Sequence, residues 1–175
     1  MPFYVDGVEY QRSELKQFKD APQMYWVFEK DGAYGFTTPE GVKAYGEEHA
    51  KPARPEGPKP LTENQVVGDN CAGFNKNVGC GGVDWLPLCT PNTISHIADS
   101  WNDVISCVET GTGVGKWTVL YKCYNFDPGT GPGSNCYHIV WVNTGVTVPD
   151  LNDAGMNNLT SSIRFCSNVD PFSCT

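Results

Sequence analysis

Two textures divide the chain. Over residues 1–50 the apolar positions fall into short runs broken by Asp-Gly and followed by helical spacing. Phe3-Tyr4-Val5-Asp6-Gly7-Val8-Glu9-Tyr10 matches Trp26-Val27-Phe28-Glu29-Lys30-Asp31-Gly32-Ala33-Tyr34. Asp-Gly supplies the two positive-φ positions of a type I′ turn, so each run predicts a β-hairpin. In each copy a hydroxyl residue, Ser13 or Thr38, follows the turn aspartate by seven positions and is suited to cap a helix. Leu15 and Phe18 then give one i, i+3 apolar face, and Val42 and Tyr45 give another behind Pro39, which suits a first helical position. The stretch reads as β-β-α twice, a small N-terminal α+β module.

Residues 51–65 carry four prolines and almost nothing apolar. Such a segment cannot pack and is expected to run extended as a linker. From residue 66 to residue 175 the texture changes to short β-rich runs punctuated by glycine. Val66-Val67, Trp117-Thr118-Val119-Leu120-Tyr121, Tyr137-His138-Ile139-Val140-Trp141-Val142 and Ile163-Arg164-Phe165 predict strands with no helical period. An all-β sandwich follows for this second part.

Charge and cysteines narrow the setting. A formal net charge of -8 over 175 residues repels phosphate backbones and anionic membranes and attracts cations, so nucleic acid is not expected as a partner. No apolar run approaches the roughly 18 to 20 residues that a membrane span needs. The start, Met1-Pro2-Phe3-Tyr4, has neither a basic nor an apolar signal region, so a soluble chain with any export signal removed is expected. All eight cysteines, at positions 71, 80, 89, 107, 123, 136, 166 and 174, come after the linker, and none forms a Cys-x-x-Cys pair. That spacing favours disulfides over a zinc ribbon or a thioredoxin-type site, and disulfides imply secretion into an oxidising compartment. Eight cysteines allow 105 connectivities, so no pairing is assigned.

The chemistry-bearing feature is a second repeat. Asn102-Asp103-Val104-Ile105-Ser106-Cys107 recurs as Asn157-Asn158-Leu159-Thr160-Ser161-Ser162, and each copy follows an acidic lead-in. Upstream, Asp69-Asn70-Cys71-Ala72-Gly73-Phe74 aligns with Tyr121-Lys122-Cys123-Tyr124-Asn125-Phe126 through a cysteine and an aromatic. Calcium takes roughly 6 to 8 oxygen ligands at about 2.3 to 2.6 Å, from carboxylates, amides, hydroxyls and backbone carbonyls. Adjacent Asn/Asp residues with a serine three or four positions on can aim such oxygens into one small volume. The alternative is that these residue types only make hydrogen-bonded turns.

The pattern Asn/Asp-Asn/Asp-x-x-Ser/Thr-Ser, once per Greek key, resembles the calcium signature of microbial βγ-crystallins. The second copy fits at every position, and the first has Cys107 where the final serine is expected. The resemblance covers about residues 66–168 and implies a βγ-crystallin-like double Greek-key sandwich holding two calcium ions. It implies as ligands Asn102, Asp103 and the carbonyl of Val104 with Ser161 crossing over, and Asn157, Asn158 and the carbonyl of Leu159 with Ser106. A further carbonyl, from the residue after the opening-strand aromatic, falls to Asn70 and Lys122 on the upstream alignment. The chain departs from the family at Cys107, at Asp69 in place of the first aromatic, and at a corner glycine, Gly129, one residue late. Asn158-Leu159-Thr160 is also a glycosylation sequon, and a glycan there would block the second site.

Other signals carry less. Gly111-Thr112-Gly113-Val114-Gly115-Lys116 lacks the spacing of a phosphate-binding loop and reads as a joint between the keys. Nothing in the sequence joins His96 and His138 to Asp84 or Asp99, so an enzyme is not expected. Three functional readings follow. The first is a secreted, non-enzymatic calcium-binding protein whose fold calcium stabilises. The second is a protease inhibitor or a secreted toxin-like effector that contacts an extracellular protein target. In the third, the N-terminal module is a docking unit or a pro-region.

Overall fold

The computed structural model describes residues 1–18, 21, 24–49, 70–81, 85–89, 93–112, 117–127, 136 and 138–166. The expected linker, the expected strand Val66-Val67 and the middle of the joint between the keys lie outside the described residues. In chain order the strands are β1 (Phe3–Val5), β2 (Val8–Tyr10), β3 (Met24–Phe28), β4 (Ala33–Phe36), β5 (Cys71–Asn75), β6 (Trp85–Cys89), β7 (Cys107–Thr110), β8 (Trp117–Tyr121), β9 (His138–Asn143), β10 (Thr147–Val148) and β11 (Ser162–Cys166). Helix α1 (Pro39–Glu48) lies between β4 and β5.

The chain is mostly β and forms two sheets, ordered β10-β7-β5-β6 and β11-β8-β9-β3-β4-β1-β2. Two units of the same plan build them, and each lends a segment to the other. The third strand of the second unit, β10, pairs with β7 of the first, and Ile94 in the β6–β7 connection bridges Ile163 of β11. Register shows the repeat directly: Asn75 stands opposite Cys107 and Phe74 opposite Val108, just as Tyr121 stands opposite Ser162 and Leu120 opposite Ile163. This is the double Greek-key arrangement that the resemblance implies.

The N-terminal stretch is not set apart as the sequence suggests. Strand β3 pairs in parallel with β9 from Met24 opposite His138 to Phe28 opposite Val142, so β1 to β4 extend the second unit's sheet. The physical reason lies in the strand: Met24-Tyr25-Trp26-Val27-Phe28 is apolar on both faces and is buried throughout. A half-exposed hairpin arm would leave one of those faces in water. Docked on β9, the strand covers an open edge and satisfies its backbone groups. One face of the large sheet packs against the small sheet through Trp26, Leu120, Val140 and Ile163 with Phe74 and Val108. The other face is covered by α1, whose Val42 and Tyr45 join Tyr25, Val119 and Trp141.

Local chemistry explains the ends of these elements. At the first hairpin, Asp6 and Gly7 take φ of 47° and 82°, as a type I′ turn requires. Asp31 and Gly32 do not take positive φ; that loop is closed instead by the Glu29 N–H donating to the Gly32 carbonyl at 2.9 Å. Thr38 caps α1 by accepting from the Gly41 N–H at 3.2 Å, with Pro39 in the first turn. Ser13 is not a cap, because the 3-10 helix Arg12–Phe18 begins before it and the Gln11 N–H donates to the Glu14 carboxylate at 2.7 Å. Three disulfides join Cys71 to Cys89, Cys80 to Cys107 and Cys123 to Cys136, and Cys166 is also disulfide-bonded.

Candidate metal site

The two polar motifs sit in the turns that lead into β7 and β11, and they meet. Each turn places its second residue in the left-handed region, Asp103 at φ 55° and Asn158 at φ 56°. Short side chains that bond locally tolerate this region best, which accounts for Asp and Asn there. Backbone bonds then cross between the copies. The Asp103 N–H donates to the Thr160 carbonyl at 3.3 Å, and the Asn158 N–H donates to the Ile105 carbonyl at 3.1 Å.

Side chains cross in the same sense. The Ser161 hydroxyl donates to the Asp103 carboxylate at 3.3 Å, and the Ser106 hydroxyl donates to the Asn158 side-chain carbonyl, also at 3.3 Å. Both serines are buried, both second residues are exposed, and both first residues are half-buried. The two turns are therefore equivalent in contact and in depth. Between each pair lie Val104 and Leu159, within the same turns.

Asn102 and Asn157 carry the most telling atoms. Their side-chain Oδ1 atoms are buried, and neither has a hydrogen-bond partner. A buried acceptor left unmatched costs about 1 to 3 kcal/mol, so most such atoms are paired. Two equivalent orphan acceptors therefore stand at equivalent corners. The Asn102 amide nitrogen is engaged, donating to Asp103 Oδ2 at 2.9 Å, which fixes the orientation of the free oxygen.

The upstream alignment needs one correction. The Ser106 N–H donates to the Asn75 carbonyl and the Ser161 N–H to the Tyr121 carbonyl, each at 2.9 Å, so Asn75 and Tyr121 are the equivalent strand ends. Lys122 follows Tyr121 at the corner, but Asn70 precedes β5 at the far end of that strand; the residue equivalent to Lys122 is Lys76. The two cysteines are not equivalent: Cys71 faces Cys89 across the β5–β6 pair, whereas Cys123 lies beyond the end of β8. The left-handed backbone marks the same equivalence, since Gly79 at 79° and Asn125 at 56° each stand four residues after the strand end. The Lys76 ammonium lies 4.6 Å from the centre of the Trp101 ring.

Among the described residues there is no group of three or more His, Cys, Asp or Glu side chains that could hold a metal. Asp103 is the single carboxylate in the two motifs, so the corners offer amide, hydroxyl and backbone oxygens. That donor set suits a hard cation and offers nothing to a soft one. The N-terminal region braces the second corner from outside. Arg12 donates to Asp150 and Asp153, each at 2.8 Å, on the lead-in to Asn157, and these bonds raise its proton affinity further. His96 stacks on Tyr124 with ring centres 3.7 Å apart. No helix among the described residues is long and apolar enough to cross a membrane.

The chain matches no protein-family model and no curated protein. Three solved structures that resemble it are βγ-crystallin domains. One, from work on the evolution of the eye-lens βγ-crystallin domain fold, is 17% identical, with 61% of this chain and 93% of that chain covered at a TM-score of 0.45. A βγ-crystallin from an archaeon is 16% identical over 55% of this chain and 96% of that one, at 0.41. A Ciona intestinalis βγ-crystallin is 21% identical over 55% and 99%, at 0.38.

Proposed function

We propose that the two crossed corners each bind a calcium ion and that the bound ions stabilise the fold of a secreted, non-enzymatic protein. The observation that carries this reading is the matched pair of buried, unpartnered oxygens on Asn102 and Asn157, set beside the Ser161–Asp103 and Ser106–Asn158 contacts. One ion would be held by Asn102, Asp103, Val104 and Ser161, and the other by Asn157, Asn158, Leu159 and Ser106. Lys76 and Lys122 would supply backbone carbonyls. The ion adds charge neutralisation for the Asp103 carboxylate and a partner for each orphan oxygen. Disulfides at three described pairs favour an oxidising compartment, which supports secretion.

Ions that bind only the folded chain stabilise it by RT ln(1 + [L]/Kd), about 2.7 kcal/mol at a hundredfold excess over Kd. Calorimetric titration of the chelator-treated protein is expected to give saturable heat, and calcium is expected to raise the unfolding midpoint. No heat together with an unmoved midpoint rejects the reading and leaves the corners as hydrogen-bonded turns.

A further inference from the structure

Away from the paired corners, the N-terminal region builds a concavity of its own. The β1–β2 turn, β4 and α1 surround a cavity of about 330 Å³ lined in part by Tyr4, Tyr34, Phe36, Tyr45 and Glu48. The size suits a small organic ligand. Its walls are largely aromatic rings. Tyr4 stacks on Tyr34 with ring centres 5.4 Å apart, Tyr34 lies 5.0 Å from Tyr45, and Phe36 lies 5.4 Å from Tyr45. Tyr4, Tyr34 and Phe36 are only half-buried, so each keeps surface open to a ligand. His49 covers Tyr45 from one side, stacked at 4.0 Å and tied to the Tyr45 carbonyl through Nδ1 at 2.9 Å.

The field in this cavity is negative. Burial first, and then the carboxylates of Glu29, Asp31 and Glu48, push the Tyr45 phenol toward its protonated form. Burial and Asp31 do the same at Tyr34. Among the described residues the nearby lysines are turned elsewhere: the Lys30 ammonium reaches toward Gly145, and Lys43 is exposed on α1 without lining the cavity. Ring faces are themselves electron-rich, so faces and carboxylates favour the same ligand charge. A primary ammonium is strongly hydrated and needs three acceptors. A quaternary ammonium is weakly hydrated and apolar in shape, and it matches ring faces flanked by a carboxylate.

We propose that this cavity binds a quaternary alkylammonium group, held among the rings of Tyr4, Tyr34, Phe36 and Tyr45 and paired with the Glu48 carboxylate. The site is independent of calcium, so the test is run on the full chain in chelator. Choline is titrated by calorimetry or by shifts of aromatic NMR signals, beside its uncharged tert-butyl isostere, in which carbon replaces nitrogen. Saturable choline binding about tenfold tighter than that of the isostere is expected. Glu48→Gln, an exposed change that leaves the fold intact, is expected to weaken choline about threefold and leave the isostere unchanged. Tyr34→Ala is expected to lose binding of both while keeping its circular dichroism. Equal binding of choline and the isostere would show a merely apolar groove and overturn the proposal, as would choline binding that Glu48→Gln does not change or the absence of saturation.

Discussion

The two Greek keys fasten the same corner with different bonds. In the second key the Ser162 hydroxyl donates to the Cys123 carbonyl at 2.6 Å and accepts from the Phe126 N–H at 3.2 Å, clamping the corner after β8 to the strand that follows the polar motif. In the first key the equivalent positions are Cys107 and Cys80, and they are joined by a disulfide. Cys80 and Phe126 even share a left-handed backbone, at φ 57° and 59°. A covalent and a hydrogen-bonded clamp thus stand at equivalent places, and only the first depends on oxidation. The Cys107 departure from the family pattern therefore leaves the corner fastened, and the Ser106 contact is made as in the other copy.

The largest expected effect comes from cutting the covalent clamp. Cys80→Ala with Cys107→Ala opens a loop of sequence separation 27. A loss of roughly 3 to 4 kcal/mol is expected, read as a fall in the denaturant midpoint. Replacing Cys107 by Ser in the Cys80→Ala background sharpens the comparison. If the clamps are equivalent, the new hydroxyl recovers about 1 kcal/mol over the Ala pair. No recovery would mean that the first corner cannot accept the second corner's solution.

Next comes the hydroxyl clamp itself. Ser162 is fully buried, and Ser162→Ala leaves the Phe126 N–H and the Cys123 carbonyl without their partner. A loss of about 2 kcal/mol is expected in chemical denaturation. The effect should stay in the second key: hydrogen exchange is expected to quicken at Phe126 and Ser161 and to stay unchanged at Ser106 and Cys107. Uniform quickening would mean that the keys open as one unit.

The motifs differ in charge as well, with Asp103 in one and Asn158 in the equivalent place. Calcium affinity follows the number of charged ligands. Asp103→Asn is expected to weaken one of two calorimetric steps by about tenfold and to bring the two together. Asn158→Asp is expected to strengthen the other. If Asp103→Asn leaves both steps unchanged, calcium does not occupy these corners.

What the sequence disclosed and what it hid have physical causes. Trp117–Tyr121 is legible as a strand because it is β-prone along its whole length, and the crossed corners are legible because the same short oxygen-bearing side chains recur at the same spacing. Strands β5 and β6 are not legible in the sequence. Cys71-Ala72-Gly73-Phe74-Asn75 is weakly β-prone, and Trp85-Leu86-Pro87-Leu88-Cys89 contains a proline that only an edge strand tolerates, which is where the sheet order puts it. The β3–β9 pairing joins residues more than a hundred positions apart, so no local pattern names the partner. Only the unbroken apolar run of Met24–Phe28 hints that both faces need cover.

The smallest expected effect tests the keys two residues beyond the clamp. Glu109 in β7 and Arg164 in β11 occupy equivalent positions, each two residues after the clamp. Arg164 sits with its guanidinium 5.6 Å from the centre of the Phe126 ring, whereas burial alone pushes the Glu109 carboxyl above its ordinary value. A carboxyl whose proton affinity is raised by folding favours the folded chain while it is protonated, and that advantage is lost as pH rises through its folded-state value. At neutral pH Glu109 therefore carries a desolvation cost that a neutral side chain would not. Glu109→Gln is expected to raise the melting temperature by about 1 °C at neutral pH, and the gap should close once the medium is acid enough to protonate the glutamate in both states. A gap that persists in acid would trace the gain to packing in the β5–β7 pair and not to charge.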